Sequence, residues 1–414
     1  HGISKIYSQK GFGIGSLYSL ITDRLGFEDG EEGKTMGLAP YGASHGERDK
    51  EMPSLAGNYH GFFTDYSRVV QRSPSMELKV DVKRCESKKD LYSPYFSRLA
   101  YLVQQELERC LLHLGREIRE KTGHRNLCIA GGVGLNCVAN EMLRQSRLFD
   151  DIFVQPASGD SGIPLGLSLI GIDRMMDGGD TAGAAMGKLA PGVFWKYAPA
   201  NARSEVFLDL LERHSVPILK FDPAVIADEL SKRKVVAFFE AGWEFGPRAL
   251  GHRSFLADPR SIEMKQILNE KIKHRELYRP FAPIMLKEHF DDYFESLTSE
   301  HPFMLFAVKC KPKAHEYAPA IVHEDDTARV QTCDASAGGV HAILKAFYGL
   351  TGVPILVNTS FNDNDEPIVY NSLDALCSFL RTSADILVVD GSVVFRDQIA
   401  SYEALLFDVS EVQN

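Results

Sequence analysis

A helix, a strand, a glycine-rich turn, a second helix and a second strand follow one another between residues 94 and 154, and this run constrains the fold most. From 94 to 123 the apolar residues recur mostly at steps of three and four, which predicts one long amphipathic helix that ends at Gly123. The elements predicted after it are a buried strand at 127–130, a turn at 131–136, a helix at 138–147 and a strand at 152–154. This alternation predicts an α/β fold.

The length of the chain predicts a second domain. Its 414 residues exceed the roughly 250 to 300 residues at which a single core stops growing. Residues 177–192 contain five Gly, four Ala and one Pro, so they predict an interdomain linker. We place the first domain at 1–190 and the second, also α/β, at 191–414. The elements predicted in the second domain are strands at 235–239, 353–357 and 386–389 and helices at 262–272 and 373–380.

The charge distribution restricts the partners. The formal net charge is -10, which makes extended nucleic-acid binding unfavourable. Residues 244–283 nevertheless carry eight Lys or Arg against five Asp or Glu. This basic cluster suits a small phosphorylated ligand better than a duplex, although a solvated basic face has the same composition.

Seven cysteines without a CxxC pair argue against a disulfide framework or a zinc site and fit a reducing cytosol. No apolar run approaches the roughly 20 residues of a membrane span. We therefore expect a cytoplasmic protein that does not associate with membranes.

Three glycine-rich turns in the first domain, at 33–42, 131–136 and 155–162, are candidates for contact with a nucleotide. Glycine lets backbone N–H groups approach a phosphate closely, and a helix that starts after the turn adds a favourable dipole. Asp160, in the third turn, could cap the following helix or bind a cation, and the residue pattern alone favours the cap. The thirteen histidines include no HxH or HxxxH pair, so spacing alone indicates no metal site.

A second group of motifs, at 244–254 and 271–283, places arginines and lysines among prolines and glycines that restrict the backbone. Guanidinium groups held in this way can donate bidentate hydrogen bonds to phosphate oxygens. Residues 323–331 and 358–362 add a further arginine with hydroxyl and amide groups. Together these segments predict a polar pocket for an anion.

The strings KTMGLAPYG, GGVGLNCVAN, QPASGDSG, EFGPRALGHRS, KHRELYRPFAP, HEDDTARVQT and NTSFNDNDEPIV occur in the order found in O-carbamoyltransferases of the NodU and CmcH type. The chain resembles this family from about residue 33 to residue 394. The resemblance implies an incomplete ASKHA domain, similar to actin and sugar kinases, followed by a YrdC-like α/β domain.

The resemblance also implies a two-stage reaction with ATP, its Mg²⁺ and carbamoyl phosphate as co-substrates. In the YrdC-like domain carbamoyl phosphate and ATP would give carbamoyl adenylate. In the ASKHA-like domain the carbamoyl group would pass to a hydroxyl of a small molecule, such as a sugar, an antibiotic or a nodulation-factor type metabolite, beside a divalent iron or a similar metal ion. The motifs leave the oligomeric state open.

Carried over by position, the resemblance assigns roles to individual residues of both domains. Those matching the carbamoyl phosphate and ATP pocket are Lys273, Arg329 and Ser360, as catalytic residues, and Arg248 and Arg279, as binding residues. Those matching positions near the adenylate in the first domain are Gly131, Gly132 and Asn136. Asp160 matches a metal-binding aspartate, so the resemblance reverses the helix-cap interpretation.

The family's remaining metal ligands belong to a His-rich motif and an Asp-Gly motif that would lie well before Lys34. We therefore expect the first part of the ASKHA-like domain to be absent from this numbering, and the transfer step to fail in this chain alone. Two other functions remain open. A tRNA-modification enzyme that makes threonylcarbamoyl adenylate would use threonine and bicarbonate, and a noncatalytic nucleotide-binding fragment would bind ATP without releasing pyrophosphate.

Overall fold

The computed structural model describes residues 4–9, 12–43, 54–72, 78–175, 205–240, 244–364 and 366–413. The chain divides into two compact units, His1–Gly159 and Asp160–Asn414, which we describe separately. The predicted linker at 177–192, and with it the predicted domain boundary at 190, lies outside the described residues. Among the helices that the structure describes, none is both long and apolar enough to cross a membrane.

Helix α3 organises the first unit. The helices of this unit are α1 (Ile14–Arg24), α2 (Glu32–Leu38), α3 (Pro94–Thr122) and α4 (Cys137–Gln145). α3 confirms the predicted long helix: it starts with proline in its first turn and is capped by Gly123, whose φ of 69° is unfavourable for other residues. Its buried apolar face includes Leu99, Val103, Leu107 and Cys110, at steps of three and four.

Three small sheets complete the first unit. Their strands are β1 (Asn58–His60), β2 (Phe63–Asp65), β3 (Val70–Arg72), β4 (Leu78–Val80), β5 (Asn126–Ile129) and β6 (Asp151–Val154). β1 with β2 and β3 with β4 are antiparallel, whereas β5 and β6 are parallel. The predicted order of strand, turn, helix and strand is confirmed by β5, α4 and β6.

The predicted burial of the strand at 127–130 was wrong. In β5 Cys128 is exposed, and Leu127 and Ile129 are only partly buried. The reason is that β5 pairs with β6 alone among the described strands, so the sheet has only two strands and its faces are not fully covered.

An eight-stranded mixed sheet forms the centre of the second unit. The strands of this unit are β7 (Leu219–Lys220), β8 (Val236–Phe239), β9 (Arg253–Ala257), β10 (Ala282–Leu286), β11 (Phe294–Glu295), β12 (Val308–Cys310), β13 (Thr327–Ala328), β14 (Gln331–Cys333), β15 (Ile355–Ser360), β16 (Ile386–Val389) and β17 (Ser392–Phe395). The large sheet has the order β14-β10-β15-β9-β8-β16-β17-β7, and β11, β12 and β13 form a separate sheet. β8 with β16 and β10 with β14 are parallel, and the other pairs of the large sheet are antiparallel.

The helices of this unit are α5 (Ile163–Met175), α6 (Glu205–Arg213), α7 (Pro223–Ser231), α8 (Glu263–Ile267), α9 (Phe290–Tyr293), α10 (Pro312–Tyr317), α11 (Gly339–Thr351), α12 (Ser372–Arg381) and α13 (Tyr402–Gln413). α6 to α13 contribute residues to one apolar core around the sheet, whereas α5 has no buried residue among its described side chains. β8, β9, β10 and β16 are buried along their whole length, as expected for strands covered on both faces. The predicted α/β class and the strands at 235–239, 353–357 and 386–389 are confirmed.

The helix predicted at 262–272 is present but changes its form. α8 continues into a π-helical turn, Leu268–Ile272, that ends directly before Lys273. The wide turn accommodates the buried side chain of Asn269, whose amide donates to the carbonyls of Leu277 (3.4 Å) and Arg279 (3.2 Å). Single π turns of this kind are frequent at functional sites.

Candidate functional site

One edge of the eight-stranded sheet collects most of the predicted anion-binding residues. Ser360, at the end of β15, lies opposite Ser254 near the start of β9. Arg279 comes shortly before β10 and Arg329 shortly before β14, and these two strands start at the same edge because they are parallel. The sheet register therefore brings together residues that are far apart in the sequence.

Lys273 is buried and contacts the end of β15 directly. Its ammonium donates to Ser360 through the carbonyl (2.9 Å) and Oγ (3.3 Å), and to Asn362 through the carbonyl (2.5 Å) and Oδ1 (2.6 Å). Burial, together with the nearby charges of Arg275 and Arg279, holds the pKa of Lys273 well below its usual range. The structure thus brings the predicted Lys273 and Ser360 into contact, with Asn362 as a further partner that sequence reasoning did not single out.

Arg275 is a second residue that sequence reasoning missed. Its Nε donates to Asn269 Oδ1 (2.7 Å), and its guanidinium carbon lies 4.6 Å from the centre of the Phe281 ring. Burial, and then the positive charges of Arg279 and Arg329, hold the pKa of Arg275 well below its usual range. Arg275, Arg279 and Arg329 therefore form a cluster of mutually repelling guanidinium groups, which an anion would stabilise.

The motif residues alone carried a weak signal for Arg275 and Asn362. Each stands two residues from a predicted site residue, Lys273 and Ser360, within the strings KHRELYRPFAP and NTSFNDNDEPIV. Strand periodicity does not explain this spacing at Arg275, because His274 between the two residues has a φ of 43°. Closeness in the sequence to a predicted site residue was the signal.

Arg329 and His323 present buried nitrogen atoms without a partner. Arg329 Nε and His323 Nε2 have no hydrogen-bond acceptor or donor among the described residues. Burial, with smaller effects of the Arg329 and Lys265 charges, lowers the pKa of His323 to about 4 against the opposing charge of Asp325. A buried polar atom without a partner is unfavourable, so a bound ligand or a water molecule would stabilise both nitrogens.

The loop at 244–252 carries Arg248, and hydrogen bonds to its own residue Glu244 stabilise it. Its Oε1 accepts from the backbone N–H groups of Leu250 (3.1 Å), His252 (2.9 Å) and Arg253 (2.8 Å). From outside, Asn358 donates to the Ala249 carbonyl (3.1 Å). These bonds fix the backbone at the sheet edge next to Ser360, with the Arg248 side chain partly buried.

In the first unit the glycines of the predicted turn have free space beside them, whereas the Asn136 side chain is hydrogen-bonded within the protein. A Cβ atom on Gly131 or Gly132 would meet nothing within 4 Å, and Gly131 has a φ of 104°. Asn136 Oδ1 accepts from the backbone N–H of Ala139 (3.0 Å) and caps α4, while its amide donates to Gln104 (2.8 Å). Asn136 thus has a structural role here, and the adenylate contact of these three residues stays a prediction.

Asp160 is exposed at the start of a short 3₁₀ turn, Asp160–Gly162. Across the ranges that the structure describes, no group of three or more His, Cys, Asp or Glu side chains is placed to hold a metal ion. A stable divalent site needs several such ligands. These residues therefore do not fit a complete metal centre, and we derive no step through one.

Sequence comparisons place this chain in a known family. The chain matches the family models described as Carbamoyltransferase N-terminus, over residues 4–169, and Carbamoyltransferase C-terminus, over residues 227–396. This chain belongs to the carbamoyltransferase family, whose members are transferase enzymes.

Nodulation proteins are among its relatives. It is 36% identical over 401 residues to nodulation protein NolO of Bradyrhizobium diazoefficiens, covering 94% of this chain and 70% of the relative. It is 36% identical over 397 residues to nodulation protein NolNO of Sinorhizobium fredii, covering 94% of this chain and 56% of the relative.

Among solved structures, full-length HypF in its phosphate- and nucleotide-bound form matches 42% of this chain and 22% of that protein. The match has 19% identity and a TM-score of 0.31.

Proposed function

We propose that this protein takes part in ATP-dependent O-carbamoylation, and that its second unit forms carbamoyl adenylate from carbamoyl phosphate and ATP. The observation that carries the proposal is the guanidinium cluster of Arg275, Arg279 and Arg329 beside the buried Lys273. Burial and neighbouring positive charges lower the pKa of Lys273 and of Arg275, so these cations are costly to keep together without an anion. Two polyanionic substrates supply that compensation.

The chemistry of adenylation needs such an environment. Carbamoyl phosphate is hydrolysed to carbamate and inorganic phosphate, and a carbamate oxygen then attacks the α-phosphorus of ATP. The bond between the α-phosphorus and its bridging oxygen breaks, and pyrophosphate leaves. Arginines held at the site before the reaction stabilise the charge that develops on the phosphate oxygens, and Arg275 is fixed there by its bond to Asn269.

In the second stage of the proposed reaction a hydroxyl oxygen of the acceptor attacks the carbamoyl carbon. AMP leaves, and the hydroxyl loses its proton. The residues that the resemblance assigns to this stage are Gly131, Gly132, Asn136 and Asp160. We propose a small-molecule acceptor of the sugar, antibiotic or nodulation-factor class, and the names of the nodulation relatives favour the last of these.

The adenylation step is tested by exchange of labelled pyrophosphate into ATP. We expect exchange that depends on carbamoyl phosphate and is not supported by threonine with bicarbonate. ATP binding without exchange would favour a noncatalytic nucleotide-binding protein. Exchange that requires threonine would favour threonylcarbamoyl adenylate formation instead.

A further inference from the structure

Two buried amide side chains, those of Gln331 and Asn358, bond to the backbone next to Arg248. Gln331 Nε2 donates to the Leu250 carbonyl (2.7 Å), and Asn358 Nδ2 donates to the Ala249 carbonyl (3.1 Å). Only 1% of the surface of Gln331 and 2% of that of Asn358 is exposed. The two residues that follow Arg248 in the chain are therefore bonded to side chains of the central sheet.

The two amides are also bonded to each other. Asn358 Nδ2 donates to Gln331 Oε1 (2.9 Å), and because β10 lies between β14 and β15, this bond reaches across a strand. Both hydrogens of Asn358 Nδ2 are used, and Gln331 uses its nitrogen and its oxygen. Asn358 Oδ1 has no partner among the described residues, so this side chain contributes through its two donations. The pair joins two strands to the loop at 244–252.

Each member of this amide pair lies close in the chain to a predicted site residue. Arg248 is the residue before the first bonded carbonyl, and Arg329 stands two residues before Gln331. Ser360 stands two residues after Asn358 in β15, so these two side chains lie on the same face of the sheet. One hydrogen-bonded pair thus connects three segments that carry predicted anion-binding residues.

We propose that Asn358 and Gln331 are positioning residues of the adenylation site, which hold the backbone of Arg248 at a fixed position relative to Arg329 and Ser360. This role rests on the proposed function, and neither amide has to contact a substrate. A guanidinium stabilises a phosphate only where its donors meet the phosphate oxygens, and a misplacement of about 1 Å can reduce a rate about 100-fold.

Two substitutions remove the donations to the loop. Gln331→Met and Asn358→Leu replace each amide by an apolar side chain of similar size. Thr332→Val is the matched control, because Thr332 is likewise buried in β14 and its Oγ1 accepts from the His301 N–H (2.8 Å). Its side chain lies on the opposite face of the strand from Gln331. Each of the three is combined with Arg248→Ala in a double-mutant cycle.

The first readout is kcat/KM for carbamoyl phosphate in pyrophosphate exchange. We expect Arg248→Ala to lower it by about 10- to 100-fold in the wild type and in Thr332→Val. In Gln331→Met and in Asn358→Leu the same change should cost less than about threefold, because Arg248 is already displaced. An equal loss in all four backgrounds would overturn the inference, since the amides would then act only through the stability of the fold.

The second readout does not depend on catalysis. Trypsin cleaves after arginine, so loosening of the loop should speed cleavage between Arg248 and Ala249. We expect this cleavage, measured by mass spectrometry relative to cleavage after the exposed Arg213, to be about tenfold faster in the two amide variants than in the wild type and the control.

Equal acceleration at both cleavage sites would show general unfolding and would contradict a specific hold on the loop, as would unchanged cleavage. Absence of exchange in the wild type would count against the proposed function. The relative cleavage rates would still decide whether the amide pair holds the backbone of Arg248.

Discussion

At the scale of residues, the Arg329 guanidinium has hydrogen-bond donors that remain available to a ligand. It is partly exposed, yet its Nε is buried without a partner, and its charge acts on both Arg275 and His323. A guanidinium that makes few contacts within the protein keeps its donors available for bidentate contact with phosphate. Lys273 differs, because its ammonium already donates to Ser360 and Asn362 and so positions the end of β15.

Removing the Arg329 guanidinium should weaken the use of carbamoyl phosphate. We expect Arg329→Ala to lower kcat/KM in pyrophosphate exchange by about 10- to 1000-fold, on the order of 1.5 to 4 kcal/mol, because a charge-assisted contact is lost. The control is Arg213→Ala, which removes an exposed guanidinium paired with Asp209 on α6. Unchanged kinetics for Arg329→Ala would contradict the assignment.

The lowered pKa of His323 predicts a dependence of stability on pH. The folded protein binds the proton with a pKa of about 4, compared with about 6.5 for an unfolded histidine. The contribution is therefore fully present above pH 6.5 and is lost as the pH falls towards 4, because the unfolded state takes up the proton first. Urea unfolding of the wild type and of His323→Gln between pH 7 and pH 4.5 measures it.

In that series the free energy of unfolding of the wild type should fall more steeply with decreasing pH than that of the variant. Parallel curves would show that His323 titrates alike in both states.

At the scale of elements, the loop at 244–252 and the π turn before Lys273 are irregular segments that carry or precede predicted site residues. Glu244 accepts hydrogen bonds from three backbone N–H groups in this loop and at the start of β9. Asn269 bonds to Arg275 and to the Arg279 carbonyl. In both cases one buried or partly buried polar side chain replaces the regular backbone bonds that a helix or a strand would provide. These hydrogen bonds hold the irregular segments against the sheet.

Substitution of Glu244 should loosen this loop. We expect Glu244→Ala to lower the free energy of unfolding by about 2 to 4 kcal/mol, since three backbone donors lose their acceptor. It should also reduce exchange activity, because Arg248 is no longer held at the sheet edge. Glu263→Ala is the control, as Glu263 is exposed and paired only with Arg233 among the contacts described. Equal stability of the two variants would contradict the role of Glu244.

At the scale of the whole molecule, the residues assigned to adenylation lie in the second unit, whereas Gly131, Gly132 and Asn136 lie in the first. The two half-reactions should therefore respond separately to mutation. Asp160 is the first residue of the second unit, and the resemblance alone assigns it to transfer. In a protein that also carries the family's His-rich and Asp-Gly motifs, Asp160→Asn should leave pyrophosphate exchange within about twofold of the wild type and should lower only carbamoyl transfer from supplied adenylate to a hydroxyl acceptor. Loss of exchange together with retained transfer would show that the two roles are reversed.

Local patterns in the sequence determined the elements and the chemical types at the site. The apolar steps of three and four in α3 and the apolar runs of β8, β15 and β16 depend only on neighbouring residues, so the sequence alone predicts them. The motifs also predicted Lys273, Arg329 and Ser360 as polar residues of one pocket. These properties do not require knowledge of distant contacts.

Only the tertiary structure decided which of the predicted site residues contact one another. Lys273 contacts Ser360 and Asn362, which are 87 and 89 residues away, because the register of β15 with β9 and β10 brings them to one edge. The bond from Arg275 to Asn269 in the π turn holds Arg275 in place, while the pairing of β5 with β6 alone among the described strands leaves Cys128 exposed. Burial and electrostatic repulsion arise from such long-range contacts, and a linear pattern of residues does not contain them.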